Sequence, residues 1–155
     1  MISLWVLAFL AQPECTVNRQ TATKVVQEAM RQEQSYSLPP GMLLSVILAE
    51  SGGRPSVIAT GVGRGKRGCD VGVAQIHVRD CLPGRVAEML DVEKNIEEAA
   101  LILSRSRAVC GLRKIKCCAD SRWCLYNSGS RKWGPRVHRI HRRLLAWIFS
   151  QDLSS

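Results

Sequence analysis

The stretch Met42–Ile76, MLLSVILAESGGRPSVIATGVGRGKRGCDVGVAQI, contains the features that most constrain the fold. An apolar run ends on the carboxylate of Glu50, and a Gly-Gly-Arg-Pro sequence then stops the helix that this run predicts. A carboxylate in the last turn of an apolar helix is poorly solvated and lies at the negative end of the helix dipole, so both effects oppose ionisation. Glu50 is therefore a candidate general acid. The alternative is an ordinary buried helix with a solvated glutamate at its end.

Three more short motifs follow in order. They are Asp70–Ile76 (DVGVAQI), an Asn95-Ile96 pair that opens a predicted helix, and Tyr126–Ser130 (YNSGS). Together with Glu50–Pro55 (ESGGRP), they resemble the lytic transglycosylases of the soluble (SLT) type, a branch of the lysozyme-like superfamily. The resemblance is to the small single-domain kind found with secretion systems, conjugation machinery and phages. It covers roughly residues 38 to 144.

This resemblance implies a mainly α, lysozyme-like single domain with a small irregular or hairpin loop beside the glycan groove. It also implies cleavage of the MurNAc–GlcNAc β-1,4 bond with formation of 1,6-anhydromuramyl ends. Glu50 would act first as acid and then as base, and no metal or cofactor is implied. The residues expected at the substrate are Ser51 (supporting Glu50), Gln75 (near the N-acetyl group), Ile76, Tyr126 (orienting Glu50) and Asn127. Asn95 is expected to be structural, and Ile96 to lie in the core.

Two other functions stay open at this point. Asp70 is the best candidate for a second carboxylate, which a hydrolytic muramidase of the goose lysozyme kind would use with a water molecule. His77 could contact substrate or be structural. The other alternative is a non-catalytic component of a phage or secretion apparatus that binds glycan or nucleic acid. Val73-Ala74 stands where the resembled family commonly has Leu-Met, which affects substrate preference and product more than fold.

Composition indicates one domain with an anionic partner. The chain has 155 residues, 46% of them hydrophobic, and a formal net charge of +9. This charge suits nucleic acid, a phospholipid surface or the acidic cell wall, and does not choose among them. Arg131–Arg143 is strongly basic, and an apolar stripe through it predicts an amphipathic helix that begins at Pro135. The glycine-rich loop before Asp70 is no phosphate-binding loop, since no Gly-Lys-Ser/Thr follows it.

Seven cysteines are many for a cytosolic chain of this size, and their spacing is not that of a zinc site. Cys69 and Cys81 flank Gln75, so a disulfide between them would fix the loop that carries it. Four more cysteines cluster ahead of Tyr126. The pattern favours disulfides and an oxidising location, the periplasm or cell wall, reached by export or as part of a virion. Reduced, buried cysteines are the alternative, and the odd number leaves at least one thiol free or paired between chains.

The N-terminal segment, residues 1–20, begins with an apolar stretch too short to span a bilayer. It is either a poorly formed secretory signal or anchor, or a segment that packs on the domain or on a partner such as a phage-particle or secretion-machinery protein. We assign residues 21–150 to the lysozyme-like domain. Apolar spacing predicts helices over Thr21–Gln32, from Met42 to Glu50 and over Leu82–Leu90, and a further helix capped by Asp91.

Overall fold

The computed structural model describes residues 2–60, 67–113 and 133–152 of the chain. The protein is mainly helical, as predicted. The helices are α1 (Ile2–Leu10), α2 (Arg19–Ser35), α3 (Met42–Ser51), α4 (Pro83–Met89), α5 (Val92–Arg113) and α6 (Trp133–Asp152). The described residues also form one antiparallel three-stranded sheet of β1 (Ile58–Thr60), β2 (Cys69–Val71) and β3 (Ile76–Val78), in that order.

Helix α3 lies at the centre of the molecule. Every side chain from Met42 to Ala49 is buried, because this helix is apolar on all sides and must be surrounded to be stable. Helices α2, α5 and α6 pack around it. The apolar stripe of α6 faces inward, as the sequence predicts, and consists of Val137, Ile140, Leu144 and Ile148. The site at the end of α3 is therefore built on a helix held from several sides.

Helix α1 belongs to the same hydrophobic core. Its Trp5 and Phe9 are buried, and α1 packs against both α2 and α6. The indole of Trp5 lies beside Gly41, just before α3, and the ring of Phe9 lies beside Gly53, just after it. In the structure, the N-terminal helix therefore packs on the rest of the domain, and a signal or anchor role for residues 1–20 stays a prediction.

Capping side chains explain where α2 and α5 begin. Helix α2 begins before the predicted Thr21, because the Asn18 side chain accepts a hydrogen bond from the Thr21 N–H (2.9 Å) and so caps the helix. The predicted cap of α5 is confirmed, since the Asp91 carboxylate accepts the Lys94 N–H (3.0 Å). The prediction that α6 begins at Pro135 was wrong: it begins two residues earlier, and a first-turn proline fits because its missing N–H would have no helical partner.

The expected irregular or hairpin loop is a small sheet. Strand β2 pairs with β1 through Ile58 opposite Val71, and with β3 through Cys69 opposite Val78. Each strand has only three residues, too few to show the alternation by which a strand is read from sequence. The turn between β2 and β3, residues 72–75, faces the end of α3 and carries Gln75.

Candidate active site

Glu50 is partly buried in the last turn of α3. The helix stops because Gly52 adopts a left-handed conformation (φ 65°), from which its N–H donates to the Leu48 carbonyl at 3.2 Å. A Cβ at Gly52 would also clash with the backbone carbonyl of Glu14. Only glycine fits both requirements, so the sequence fixes the helix end directly after Glu50 and Ser51.

Ser51 ties the end of α3 to the turn between β2 and β3. Its hydroxyl donates to the Val73 carbonyl at 2.6 Å and accepts the Gly53 N–H at 3.1 Å. Ser51 is 3% exposed, so its side chain does not reach a bound glycan. The predicted substrate-binding residue is thus placed as a positioning residue, which fixes the turn beside Glu50.

Asn95 anchors the same turn from the opposite side. The residue is fully buried, and its carbonyl oxygen Oδ1 accepts the Ala74 N–H at 2.8 Å. Its amide nitrogen Nδ2 donates to the carbonyls of Val71 and Met89, both at 2.8 Å. A Cβ at Gly72 (φ 79°) would clash with this amide, so the turn requires glycine there. Asn95 is structural and Ile96 is buried in the core, as the sequence predicts.

Gln75 uses one end of its amide, the nitrogen, for hydrogen bonds within the protein. Its nitrogen Nε2 donates to the carbonyls of Gly72 (2.9 Å) and Val57 (3.2 Å). Because both partners are acceptors, they fix the orientation of the amide. The oxygen Oε1 has no hydrogen-bond partner in the described part of the chain, and can accept from a ligand N–H or hydroxyl. The neighbouring Ile76 side chain is only 5% exposed and lies in the core, so it is not available to a substrate.

Asp70 and His77 form a pair that sequence reasoning did not predict. They lie directly opposite each other on β2 and β3, and His77 Nδ1 is 2.8 Å from Asp70 Oδ1. Both side chains are partly exposed, whereas Cys69 and Val71 on either side of Asp70 are buried. Strand alternation therefore puts the pair on the open face of the sheet. The signal that could have found it is the register, which a tight turn from residue 72 to residue 75 sets.

The remaining predicted site residues, Tyr126 and Asn127, lie outside the described residues, as do Arg131 and Lys132 of the basic segment. The described part of the site thus consists of Glu50, the Ser51 and Asn95 supports, and Gln75.

The cysteines that flank Gln75 are reduced in the structure. Cys69 and Cys81 are free thiols that lie close enough to interact, and Cys15 is also free. Burial, with the neighbouring Cys81 thiol as a smaller cause, raises the pKa of the Cys69 thiol to about 11. The predicted bridge between the two is therefore not formed here, although the pair is in place. The side chains of the other four cysteines (110, 117, 118 and 124) lie outside the described residues.

An open cavity of about 580 Å³ lies between the N-terminal half of α2 and the start of α5. Amide, hydroxyl and ammonium groups line it, over a floor that includes Pro55 and Val92. None of the predicted site residues contributes to its wall. In the described ranges, no three His, Cys, Asp or Glu side chains converge as metal ligands, and no helix there has the length and apolarity to cross a membrane.

Comparison with protein-family models, with curated proteins and with solved structures found no match to this chain. The functional argument therefore depends on the residues of the site itself.

Proposed function

We propose that this protein is a peptidoglycan lytic transglycosylase with a lysozyme-like fold, and that Glu50 is its catalytic acid and base. The observation that carries the proposal is the Ser51–Val73 hydrogen bond (2.6 Å). This bond holds the turn with Gln75 against the helix end with Glu50, so an acid and an amide acceptor lie on two joined, rigid elements. A glycosidase site needs such a fixed relation between the group that protonates the bond and the group that holds the sugar.

Glu50 supports the chemistry in both steps. As an acid, it donates its proton to the glycosidic oxygen, and the C1–O bond breaks as the N-acetyl carbonyl of the same MurNAc unit bonds to C1. As a carboxylate, it then removes the proton of the muramyl 6-hydroxyl. The O6 atom attacks C1, displaces the acetyl oxygen and closes the anhydro ring, so Glu50 ends protonated as it began. No water and no second carboxylate is needed, in contrast to hydrolytic glycosidases.

Gln75 would hold the N-acetyl group or a neighbouring sugar hydroxyl. Its Oε1 is the group that the turn leaves for a ligand, because Nε2 is already bonded to two backbone carbonyls. Tyr126 would orient Glu50, and Asn127 would form part of the wall of the sugar site.

The deciding experiment is mass spectrometry of purified peptidoglycan digested with the intact protein and with Glu50→Gln. Anhydromuramyl ends produced by the intact protein alone are the expected result. A matched control, Glu93→Gln, removes an exposed carboxylate elsewhere, at the start of α5, and should leave the products unchanged. Anhydro ends that persist in well-folded Glu50→Gln would overturn the assignment of the acid. The absence of any product from folded protein would favour a non-catalytic binding module.

A hydrolytic muramidase is the second candidate, and the Asp70–His77 pair favours it. An imidazole held by a carboxylate at 2.8 Å is an arrangement that can orient and activate a water molecule. This reaction would give reducing ends, and Asp70→Asn and His77→Gln would abolish them. For a transglycosylase we expect both variants to retain most of the activity and to form anhydro ends.

The proposed setting is the periplasm or cell wall, where a small enzyme of this kind would open the wall locally for a phage particle or a secretion apparatus. The glycan strand is its partner in this reaction. A nucleic-acid partner is not part of the proposal.

A further inference from the structure

The outward face of α6 combines exposed arginines with an exposed aromatic ring. We propose that this face docks the protein onto an anionic phospholipid surface. The inference is independent of the proposed function, because it concerns binding by a surface built on another helix and is measured without wall cleavage.

The spacing of α6 places these residues in one row. The buried stripe from Val137 to Ile148 fixes one side of the helix against the core. Arg139, Arg142 and Phe149 are exposed, and their separations of three and seven residues align them on the opposite side. Exposed Ala146 lies between Arg142 and Phe149 on this side of the helix, and its small side chain covers neither of them.

The cationic half of this row is not neutralised from within the described chain. Arg143 is bound to Glu14, with its Nη2 at 2.5 and 2.6 Å from the two carboxylate oxygens. By contrast, the described residues place no carboxylate within ion-pair distance of Arg139 or Arg142, nor of exposed Arg136, which flanks the row on the side of Arg143. Residues 134–151 contain no acidic side chain at all. The face therefore carries a local positive charge that complements an anionic surface.

Phe149 favours a membrane over a polyanion in solution. Its side chain is 61% exposed, the most exposed of the large apolar residues in the described part of the chain. A phospholipid interface satisfies both halves of the row at once, because phosphate groups meet the arginines while the ring enters the acyl boundary. Double-stranded nucleic acid offers the phosphates but no apolar layer for the ring.

The test is cosedimentation of the full chain with vesicles of phosphatidylcholine, alone or mixed with phosphatidylglycerol. We expect binding to the mixed vesicles only. Each arginine near an anionic surface contributes about five-fold in affinity, so the triple variant R136Q/R139Q/R142Q should bind roughly a hundred-fold more weakly. Phe149→Ala should weaken binding about ten-fold through lost burial of the ring.

Matched variants separate this face from net charge. R19Q/K24Q/R105Q removes the same number of exposed charges, which form no ion pair within the described ranges, from α2 and α5, and Leu82→Ala removes an apolar side chain of similar exposure. Binding that survives in these controls supports the proposal. An equal loss in both triple variants would overturn it in favour of non-specific charge. Weak binding to mixed vesicles beside tight binding to duplex DNA would overturn it in favour of nucleic acid.

Discussion

A glutamate side chain lies at each end of α3, and the two have opposite electrostatic surroundings. At the first end, the carboxylate of Glu33 from α2 reaches over and accepts the N–H groups of Gly41 (2.8 Å) and Leu43 (2.7 Å). At the last end, Glu50 is in the final turn of α3, where a helix leaves backbone carbonyls without helical partners. The helix dipole favours a negative charge at the first position and opposes it at the second.

This difference separates a structural carboxylate from a candidate functional one. Glu33 is buried, and both of its carboxylate oxygens accept backbone N–H groups at the start of α3. Its role is therefore to hold α2 to α3. Glu50 is only partly buried. It lies beside the turn of residues 72–75, which hydrogen bonds from Ser51 and Asn95 hold in place. The role of a carboxylate in this fold therefore depends on whether it faces the N-terminal or the C-terminal end of a helix.

The largest expected effect comes from exchanging the two glutamates in turn for glutamine. Glu50→Gln should reduce wall cleavage by about 100- to 10,000-fold, the usual contribution of a general acid, with little change in stability. Glu33→Gln should leave the rate per folded molecule within about two-fold, because this residue is remote from the reacting bond. Activity assays paired with urea unfolding measure both. Equal losses of activity in the two variants would break the comparison.

The supports of the Glu50 end can be tested through Asn95. Asn95→Ala removes three buried hydrogen bonds, to the Ala74 N–H and to the carbonyls of Val71 and Met89, which should cost about 3 kcal/mol of unfolding free energy. Asp91→Ala is the control on the same helix, where losing an exposed cap should cost about 1 kcal/mol. Urea denaturation gives both values, and similar losses would mean that Asn95 does not anchor the turn.

The Glu33 end should make stability depend on pH. Burial raises the pKa of Glu33 to about 7, although the backbone N–H groups of Gly41, Leu43 and Leu44 lower it. Between the ordinary value of 4.5 and about 7, the folded protein holds a proton that the unfolded chain has lost. The contribution of Glu33 to stability is therefore fully present below pH 4.5 and decreases as pH rises through this window, by up to about 3 kcal/mol.

Glu33→Gln isolates this slope. When urea midpoints of the two proteins are measured from pH 4 to pH 8, the difference between them changes with pH only through the titration of Glu33. Burial lowers the pKa of His141, which gives a slope of opposite sign, but that slope is common to both proteins. Parallel curves would show that Glu33 keeps an ordinary carboxyl pKa.

The smallest expected effect concerns the flank of the Glu50 site. Oxidised glutathione should convert the neighbouring thiols of Cys69 and Cys81 into a disulfide. Partly exposed Cys81 attacks first and releases one reduced glutathione, and Cys69 then resolves the mixed disulfide and releases the second, so the two thiol protons end on the two glutathione molecules. Closing this short loop should raise the unfolding free energy by about 2 kcal/mol. Peptide mapping and thermal unfolding with and without reductant measure it, with Cys69→Ser as the control. An oxidised protein with a Cys15 bridge instead would contradict the pairing.

Much of the helical framework could be predicted from the sequence. An eight-residue apolar run, a stripe spaced at three and four residues, and a Gly-Gly stop are signals that lie within one element. For that reason the sequence alone predicts α3, the inward face of α6 and the Asp91 cap. The Gly-Gly stop likewise predicts that Glu50 lies in the last turn of its helix.

What could not be predicted depends on contacts between elements. Glu33 looks like any polar position of an amphipathic helix until α3 brings its N–H groups within 2.8 Å. The Asp70–His77 pair exists only because of the register of two three-residue strands. The resemblance predicts Ser51 and Ile76 at the substrate, but the structure buries both side chains, because contacts between elements decide which way each one faces.

The position of α3 also determines when the chain can fold during synthesis. This helix is apolar on all sides, yet α6, one of the helices that cover it, begins more than 80 residues further along the chain. Until the ribosome has released α6, the nascent chain therefore exposes a hydrophobic segment that invites aggregation or chaperone capture. Helix α1 is in a similar situation, because it too packs against α6. Folding is thus delayed until α6 has been synthesised, and a truncated chain without α6 would have no folded α3 and no positioned Glu50.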